Sequence, residues 1–324
     1  MILKLSSRSQ LEGLLGKLLS GQYVPSDGYF MKVQRLCCHL LAQQPAADVI
    51  VHAHDWHSIL AAIALKRRYG TPFILHIHST QAERQGEQAM DFIYELEQWG
   101  MHEAEKVICV SANSAQFIRQ HYSLSTHKTH IVHNACPSSL STVCVSAEIK
   151  CILFIGRMCS QKSPELMIEI MRRLLAIHPQ LKLLIAGEGD ELSAIRDVVD
   201  FCQIAESVEI LGMLPHSNVH LLYQRADVLC LPSIEEPFGI VAVEAAQHGL
   251  SVLLSDRCGV KEQLASAKVI PHRDVTMWVH ELDELVKHRS KHRELASSVQ
   301  KEAASRTWKD AADEILAIYA SVVN

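Results

Sequence analysis

PSIEEPFGIVAVEAAQHG, residues 232–249, is the stretch whose reading decides the fold. The apolar run before it, ADVLCLPS, is a buried strand ending near Leu231. A Pro-containing loop follows, and the spacing predicts a helix beginning near Phe238. Glu236 then stands in the loop and Glu244, eight residues later, about two turns into the helix. The helix start, with the backbone amides of Phe238, Gly239 and Ile240, favours an anionic ligand. Gly239 lets that ligand approach the backbone closely. Carboxylates accept from vicinal hydroxyls, which suits Glu244 to a ribose and Glu236 to a sugar. Read alone, the pair is better explained as an acid favoured by the helix dipole plus a surface acid.

Working outward, strand and helix alternate in both directions. Downstream come LSVLLSD and GVKEQLAS; upstream come KCILFIGRM, SPELMIEIMRRLLAIHP, LKLLIAG, DELSAIRDVVDFC, SVEILG and NVHLLYQR. An earlier series holds the strands DVIVHAHDW, TPFILHIHST, KVICVS and THIVHN, with helices between them. One of these helices, SILAAIALKRRYG, is expected to be capped by Ser58 and closed by Gly70. Near-continuous apolar strands that alternate with helices predict parallel sheets covered on both faces. The period breaks in ACPSSLSTVCVSAEIK, residues 135–150. The expected fold is α/β, with two doubly wound Rossmann-like domains facing a cleft and ligands at the carboxyl ends of the strands. The expected divisions are 1–145, 146–305, and a terminal helix over 306–324 that either returns to the first domain or packs on its own.

A second loop, FIGRMCSQKSPE, places Arg157 and Lys162 after a strand. Two cations there can clamp a diphosphate, Arg bidentately and Lys as a point charge; two solvated loop cations are the alternative. LIAGEGDE adds a Gly-x-Gly turn that includes Gly187, without the third Gly of a dinucleotide fingerprint.

Composition narrows the function. The 324 residues are 48% hydrophobic with a net charge of −5, a balance that disfavours tracking a nucleic-acid backbone. Ten cysteines lie mostly inside apolar runs with no CxxC pair, which argues against a zinc or redox motif and suits a reducing cytoplasm. The opening residues lack a secretory apolar region, and no apolar stretch approaches the roughly 20 residues of a membrane span. Peripheral membrane contact through a basic stretch such as KHRSKHRE stays open.

GRMCSQKSPE, AGEGDE, LPSIEEPFGIVAVEA and SDRCGVKE, with HAHDW, HIHST, VICVSANS and IVHN before them, resemble the successive motifs of the family 4 glycosyltransferases, the GT-B enzymes that include glycogen- and sucrose-synthase-like members. The resemblance covers about Asp48 to Trp308. It implies transfer from a nucleoside-diphosphate sugar, of UDP or ADP type, to a hydroxyl acceptor, with retention and without a metal or other cofactor. Glu236 would contact the donor sugar, Glu244 the ribose, and Arg157 and Lys162 the diphosphate. Phe238, Gly239 and Ile240 would offer amides to the sugar or phosphate, with Gly187 and Glu262 also on the donor side. His78 would lie near the donor sugar, and His54 and Asp55 on the acceptor side.

The chain departs from the family in two places. The opening strand and Gly-Gly loop are not found before Asp48, so the N-terminal domain reads as short by at least one strand–helix unit, and Asn134 is followed by Ala135 where the family has Gly. Three other readings stand beside the transferase, one of them a nucleotide-sugar epimerase of the same fold, which the Glu236/Glu244 and Arg157/Lys162 pairs fit less well. His52, His54, Asp55 and His57 form H-x-H-D-x-H, with His76 and His78 on the next strand, which suggests a metal-dependent hydrolase. The binuclear hydrolase order has its Asp where Trp56 stands here. A degenerate, non-catalytic sugar-nucleotide binder is the third.

Overall fold

The structure is a computed structural model that describes residues 7–22, 28–46, 48–86, 91–137, 145–146 and 148–323. The chain divides into two compact units, Met1–His133 with Ala312–Asn324, and Asn134–Ala311. Half of the expected linker lies outside the described residues.

The first unit contains α1 (Arg8–Leu19), α2 (Gly28–Ala42), β1 (Val51–His54), α3 (Asp55–Tyr69), β2 (Phe73–Ile77), α4 (Gln81–Gln85), α5 (Phe92–Glu103), β3 (Lys106–Cys109), α6 (Ala112–His121) and β4 (Thr129–Ile131). All strand pairs are parallel, and the order is β1-β2-β3-β4. All five residues of β2 are buried, as an apolar run between two parallel neighbours requires. Helix α3 starts three residues before Ser58. His54 is its N-cap residue, and the Ser58 hydroxyl donates back to the His54 carbonyl at 2.7 Å instead of capping. Its far end follows expectation: Gly70, at φ 72°, donates to the Lys66 carbonyl. Gly100 lets α5 approach α3, because a Cβ there would stand 2.5 Å from the Ile59 side chain. Ile59, Leu60 and Ile63 are fully buried, each contributing about 1.5–3 kcal/mol of apolar burial.

The second unit contains β5 (Cys151–Ile155), α7 (Pro164–Leu175), β6 (Lys182–Ala186), α8 (Leu192–Phe201), β7 (Val208–Gly212), α9 (His216–Arg225), β8 (Val228–Leu231), α10 (Ile240–Gln247), β9 (Ser251–Ser255), β10 (Lys268–Ile270), α11 (Val275–Lys287) and α12 (Arg289–Ala304). Its six parallel strands run β10-β9-β8-β5-β6-β7, the strand order of a dinucleotide-binding fold. Chain order reverses between β5 and β8, where two successive crossovers leave the sheet in opposite directions. Among the described residues the first sheet has no such reversal. The last helix, α13 (Trp308–Val323), starts behind Thr307, whose hydroxyl accepts from the Asp310 amide while the Asp310 carboxylate accepts from the Thr307 amide. No helix among the described residues is long and apolar enough to cross a membrane.

Candidate active site

The reversal between β5 and β8 opens a crevice at the carboxyl ends of both strands, the place where an open α/β sheet binds ligands. Two loops meet there. The Ile234 amide, after β8, donates to the Gln161 carbonyl, after β5, at 2.8 Å. The β8 loop is also zipped to the segment after β9: Gly259 donates to the Glu236 carbonyl at 2.9 Å and Val260 to that of Phe238 at 2.8 Å. With its backbone held on both sides, Glu236 aims its carboxylate at the Lys162 ammonium, and the two form a short ion pair. Their side chains are only 12% and 19% exposed, so the pair is weakly screened by water. Ser163, at φ 53°, sits in the left-handed region directly after Lys162 and before Pro164 opens α7.

Arg157 stands on the same loop, its side chain exposed and without an ion pair or hydrogen bond among the described residues. Its position is fixed by backbone alone. Gly156 donates to the Ala186 carbonyl at 3.0 Å and Met158 to that of Glu188 at 2.9 Å. This zipper explains the Gly-x-Gly turn. A Cβ on Gly187 would stand 1.8 Å from the Gly156 oxygen, and one on Gly189 would stand 2.2 Å from the Met158 oxygen. Gly187 thus brings the β6 loop against the loop that carries Arg157.

Helix α10 starts later than expected. Gly239, at φ 102°, is its N-cap residue, so Ile240 is its first residue and Glu244 its fifth, little more than one turn in. The Ala242 amide turns back to the Gly239 carbonyl at 2.9 Å, while the Ile240 and Val241 amides before it have no intrahelical acceptor and leave a partial positive charge beside Glu236 and Lys162. Glu244 is half-buried and accepts the Tyr223 hydroxyl at 2.6 Å. Burial, then the Glu244 charge, pushes the Tyr223 phenol well above its ordinary range, so it stays a donor. A carboxylate offers about four lone-pair positions, and Tyr223 uses one of them. Cys136 also lies within the influence of Glu244: burial and that charge push its thiol up to about 11. Glu262 ends the short 3-10 turn Gly259–Glu262, on the segment zipped to the Glu236 loop. Sequence reasoning missed Tyr223 and Cys136. In sequence Tyr223 is one more apolar residue of a helical face, and its link to Glu244 spans 21 residues.

The remaining predicted residues belong to the first unit. Asp55, at φ 50°, accepts the His78 amide on Oδ1 at 2.8 Å and so positions the segment after β2. Parallel register pairs His54 with His76, and the side-chain alternation of both strands stacks four imidazoles on one face. Ring centroids are 4.4 Å apart for His52–His54, 5.2 Å for His54–His76 and 4.4 Å for His76–His78. His54 Nδ1 and His78 Nε2 share a hydrogen bond of 3.0 Å. Burial, then the neighbouring rings, lowers His52 to about 4 and His76 to about 2. Both are therefore neutral at pH 7. His57 leaves this cluster and packs against Trp56, with centroids at 4.3 Å, and Tyr29, at 5.5 Å. The predicted residues thus form one group in each unit: Arg157, Lys162, Gly187, Glu236, Phe238, Gly239, Ile240, Glu244 and Glu262 in the second, and His54, Asp55 and His78 in the first.

Comparison with known proteins identifies the family and the fold. Residues 146–303 match the family described as glycosyl transferases group 1, and residues 24–139 match glycosyltransferase family 4. An uncharacterized glycosyltransferase of Methanocaldococcus jannaschii is 30% identical over 71% of this chain and 62% of its own length. A glycogen synthase of Mycobacterium tuberculosis is 29% identical over 68% of this chain and 55% of its own. The chain thus spans less than two thirds of the length of these curated relatives. Among solved structures, a sucrose-phosphate synthase from Thermosynechococcus elongatus superposes with a TM-score of 0.77 at 20% identity, covering 93% of this chain and 80% of its own. Anabaena HepE in complex with UDP gives 0.75 at 16% identity, covering 94% and 89%. These neighbours have the GT-B fold, and its two parallel-sheet α/β domains are those described above. From the two family matches, which between them take in most of the sequence, the chain belongs to the family 4 (group 1) glycosyltransferases.

Proposed function

We propose that this protein transfers a glycosyl unit from a nucleoside-diphosphate sugar to a hydroxyl acceptor, with retention of anomeric configuration and without a metal at the donor site. The observation that carries the reading is the convergence of Arg157, the Lys162–Glu236 pair and the start of α10 at the switch point of the second sheet. A departing nucleoside diphosphate develops negative charge on its phosphates. An unengaged guanidinium, an ammonium and a helix N-terminus stabilise that charge without a cation from solution. In the free protein Glu236 holds the ammonium in place. On donor binding the phosphate takes over the ammonium, and Glu236 turns to the sugar hydroxyls. Glu244, steadied by Tyr223, takes the ribose hydroxyls. His78 approaches the donor sugar, and His54 and Asp55 serve the acceptor. UDP bound to the HepE neighbour favours a uridine donor over an adenosine one.

The hydrolase alternative finds no support, since His57 leaves the imidazole cluster and the family is one of transferases. Cytoplasmic residence, with peripheral membrane contact, remains part of the proposal. Calorimetric titration with UDP, ADP and GDP, with and without EDTA, tests the donor reading. Binding of one nucleotide that EDTA leaves unchanged and Glu244→Ala weakens is the expected result. No binding of any of the three would overturn it and favour a non-catalytic relative. Proton NMR of the first-formed product, showing the anomer of the donor, tests retention.

A further inference from the structure

We propose that His52, His54 and His76 form a binding site for a single divalent transition-metal ion of the zinc, cobalt or nickel type. One potential ligand atom from each of the three lies within 4.8 Å of the others. The inference does not rest on the nucleotide contacts, which all lie in the second unit, although it shares His54 and His78 with the proposed acceptor and sugar contacts.

Three observations point to a ligand here. His76 is only 5% exposed, and neither of its ring nitrogens has a hydrogen-bond partner among the described residues. A buried polar group left unpaired costs about 1–3 kcal/mol, so an imidazole with two such atoms calls for an occupant. His52 repeats the pattern with a buried and unpartnered Nε2. The second nitrogens of the other two rings are already engaged. His52 Nδ1 is hydrogen-bonded to the Tyr319 hydroxyl of α13, and His54 Nδ1 to His78 Nε2. A metal-bound histidine usually places its other nitrogen on such a partner, which fixes the tautomer and turns the bare lone pair toward the ion. Here that arrangement assigns Nε2 of His52 and Nε2 of His54 to the metal, with protonated Nδ1 atoms donating to Tyr319 and His78.

The donor set selects the ion. Three neutral imidazoles without a carboxylate or thiolate suit borderline transition metals and not calcium or magnesium, which require oxygen. The rings of His52 and His54 lie parallel, 5° apart, so their lone pairs converge only after a turn about the side-chain torsions. Exposed His54 provides both the freedom for that turn and the entry path.

Cobalt is the probe. The EDTA-stripped full chain is titrated with cobalt(II) chloride, and visible d–d absorption is followed, then its displacement by zinc. Bands that saturate at one equivalent and vanish in His52→Gln and in His76→Phe are expected. The same bands should persist in His130→Ala, a control for the other histidines. Tyr319→Phe removes only the supporting partner and should weaken binding about 10- to 100-fold. Circular dichroism of each stripped variant checks folding, and His52→Gln, at a half-buried position, decides the matter if His76→Phe does not fold. An absence of d–d bands in the wild type, or bands that survive His52→Gln, would overturn the site.

Discussion

The Tyr223–Glu244 hydrogen bond gives the sharpest prediction about the donor site, because it can be tested without knowing the substrate. Tyr223 is 2% exposed and donates to a carboxylate at 2.6 Å. A hydrogen bond to a charged group contributes about 1.5–3 kcal/mol, and a buried hydroxyl stripped of its acceptor loses about 1–3 kcal/mol. Glu244→Ala should therefore destabilise the protein by about 2–3 kcal/mol, since it leaves the phenol buried and unpaired. Tyr223→Phe should destabilise less, by about 1–2 kcal/mol, because half-buried Glu244 can turn to water. In the double variant neither group is left without a partner, so the single losses do not add. The expected coupling is about 1.5–2 kcal/mol. Urea unfolding of the four proteins at pH 7 measures it, and calorimetry with UDP on the same proteins links it to binding. Glu244→Ala should raise the nucleotide Kd about tenfold or more, each tenfold being about 1.4 kcal/mol. Tyr223→Phe should raise it less, because the carboxylate remains. Single losses that add to within about 0.5 kcal/mol would refute the coupling, and an unchanged Kd in Glu244→Ala would refute the ribose role.

Arg157→Ala should leave stability within about 0.5 kcal/mol, because the side chain is exposed and touches no partner among the described residues, yet slow sugar transfer by orders of magnitude; normal turnover in that variant would remove Arg157 from the phosphate site. Gly187→Ala should destabilise by at least about 1–3 kcal/mol, since its Cβ would overlap the Gly156 oxygen at 1.8 Å and its φ is 133°; a melting temperature equal to that of the wild type would sink the zipper account. Glu97, buried in the first unit, has its carboxyl pushed up to about 7 by burial, against the lowering effect of its hydrogen bonds from Tyr122 and the Gln81 amide. Between pH 4.5 and 7 the folded state therefore holds a proton that the unfolded chain has released, so this contribution is full at low pH and is lost as pH rises through about 7. The stability of Glu97→Gln relative to wild type should rise by about 2.5 kcal/mol from pH 5 to pH 8, and no change in that difference would contradict the shift.

Much of this protein is legible in the sequence, for physical reasons that differ from one element to the next. VLCL, SVLLS and FILHI read as strands because a parallel strand buried on both faces must be apolar along its whole length, and a short window shows that. Gly70 closes α3 as expected because the left-handed C-cap is a local requirement. Arg157, Lys162 and Glu236 stand out as candidates because they sit directly after such strands, whereas Glu244 lies inside α10. Local reading fails where tertiary bonds compete. Ser58 has the chemistry of a cap but lies inside α3, since Asp55 is held at the end of β1 by the His78 amide from the segment after β2 and starts the helix early. Gly239 moves the start of α10 because the loop before it is zipped to the segment after β9. Sequence determined the alternation of elements, the family motifs and the types of residue at the strand ends. Only the tertiary structure decided that β5 and β8 are neighbours, that Lys162 meets Glu236 across 74 residues, that Tyr223 holds Glu244, and that four histidines from two strands share one face. Strand order and cross-strand register depend on pairings between distant segments, which no local period encodes.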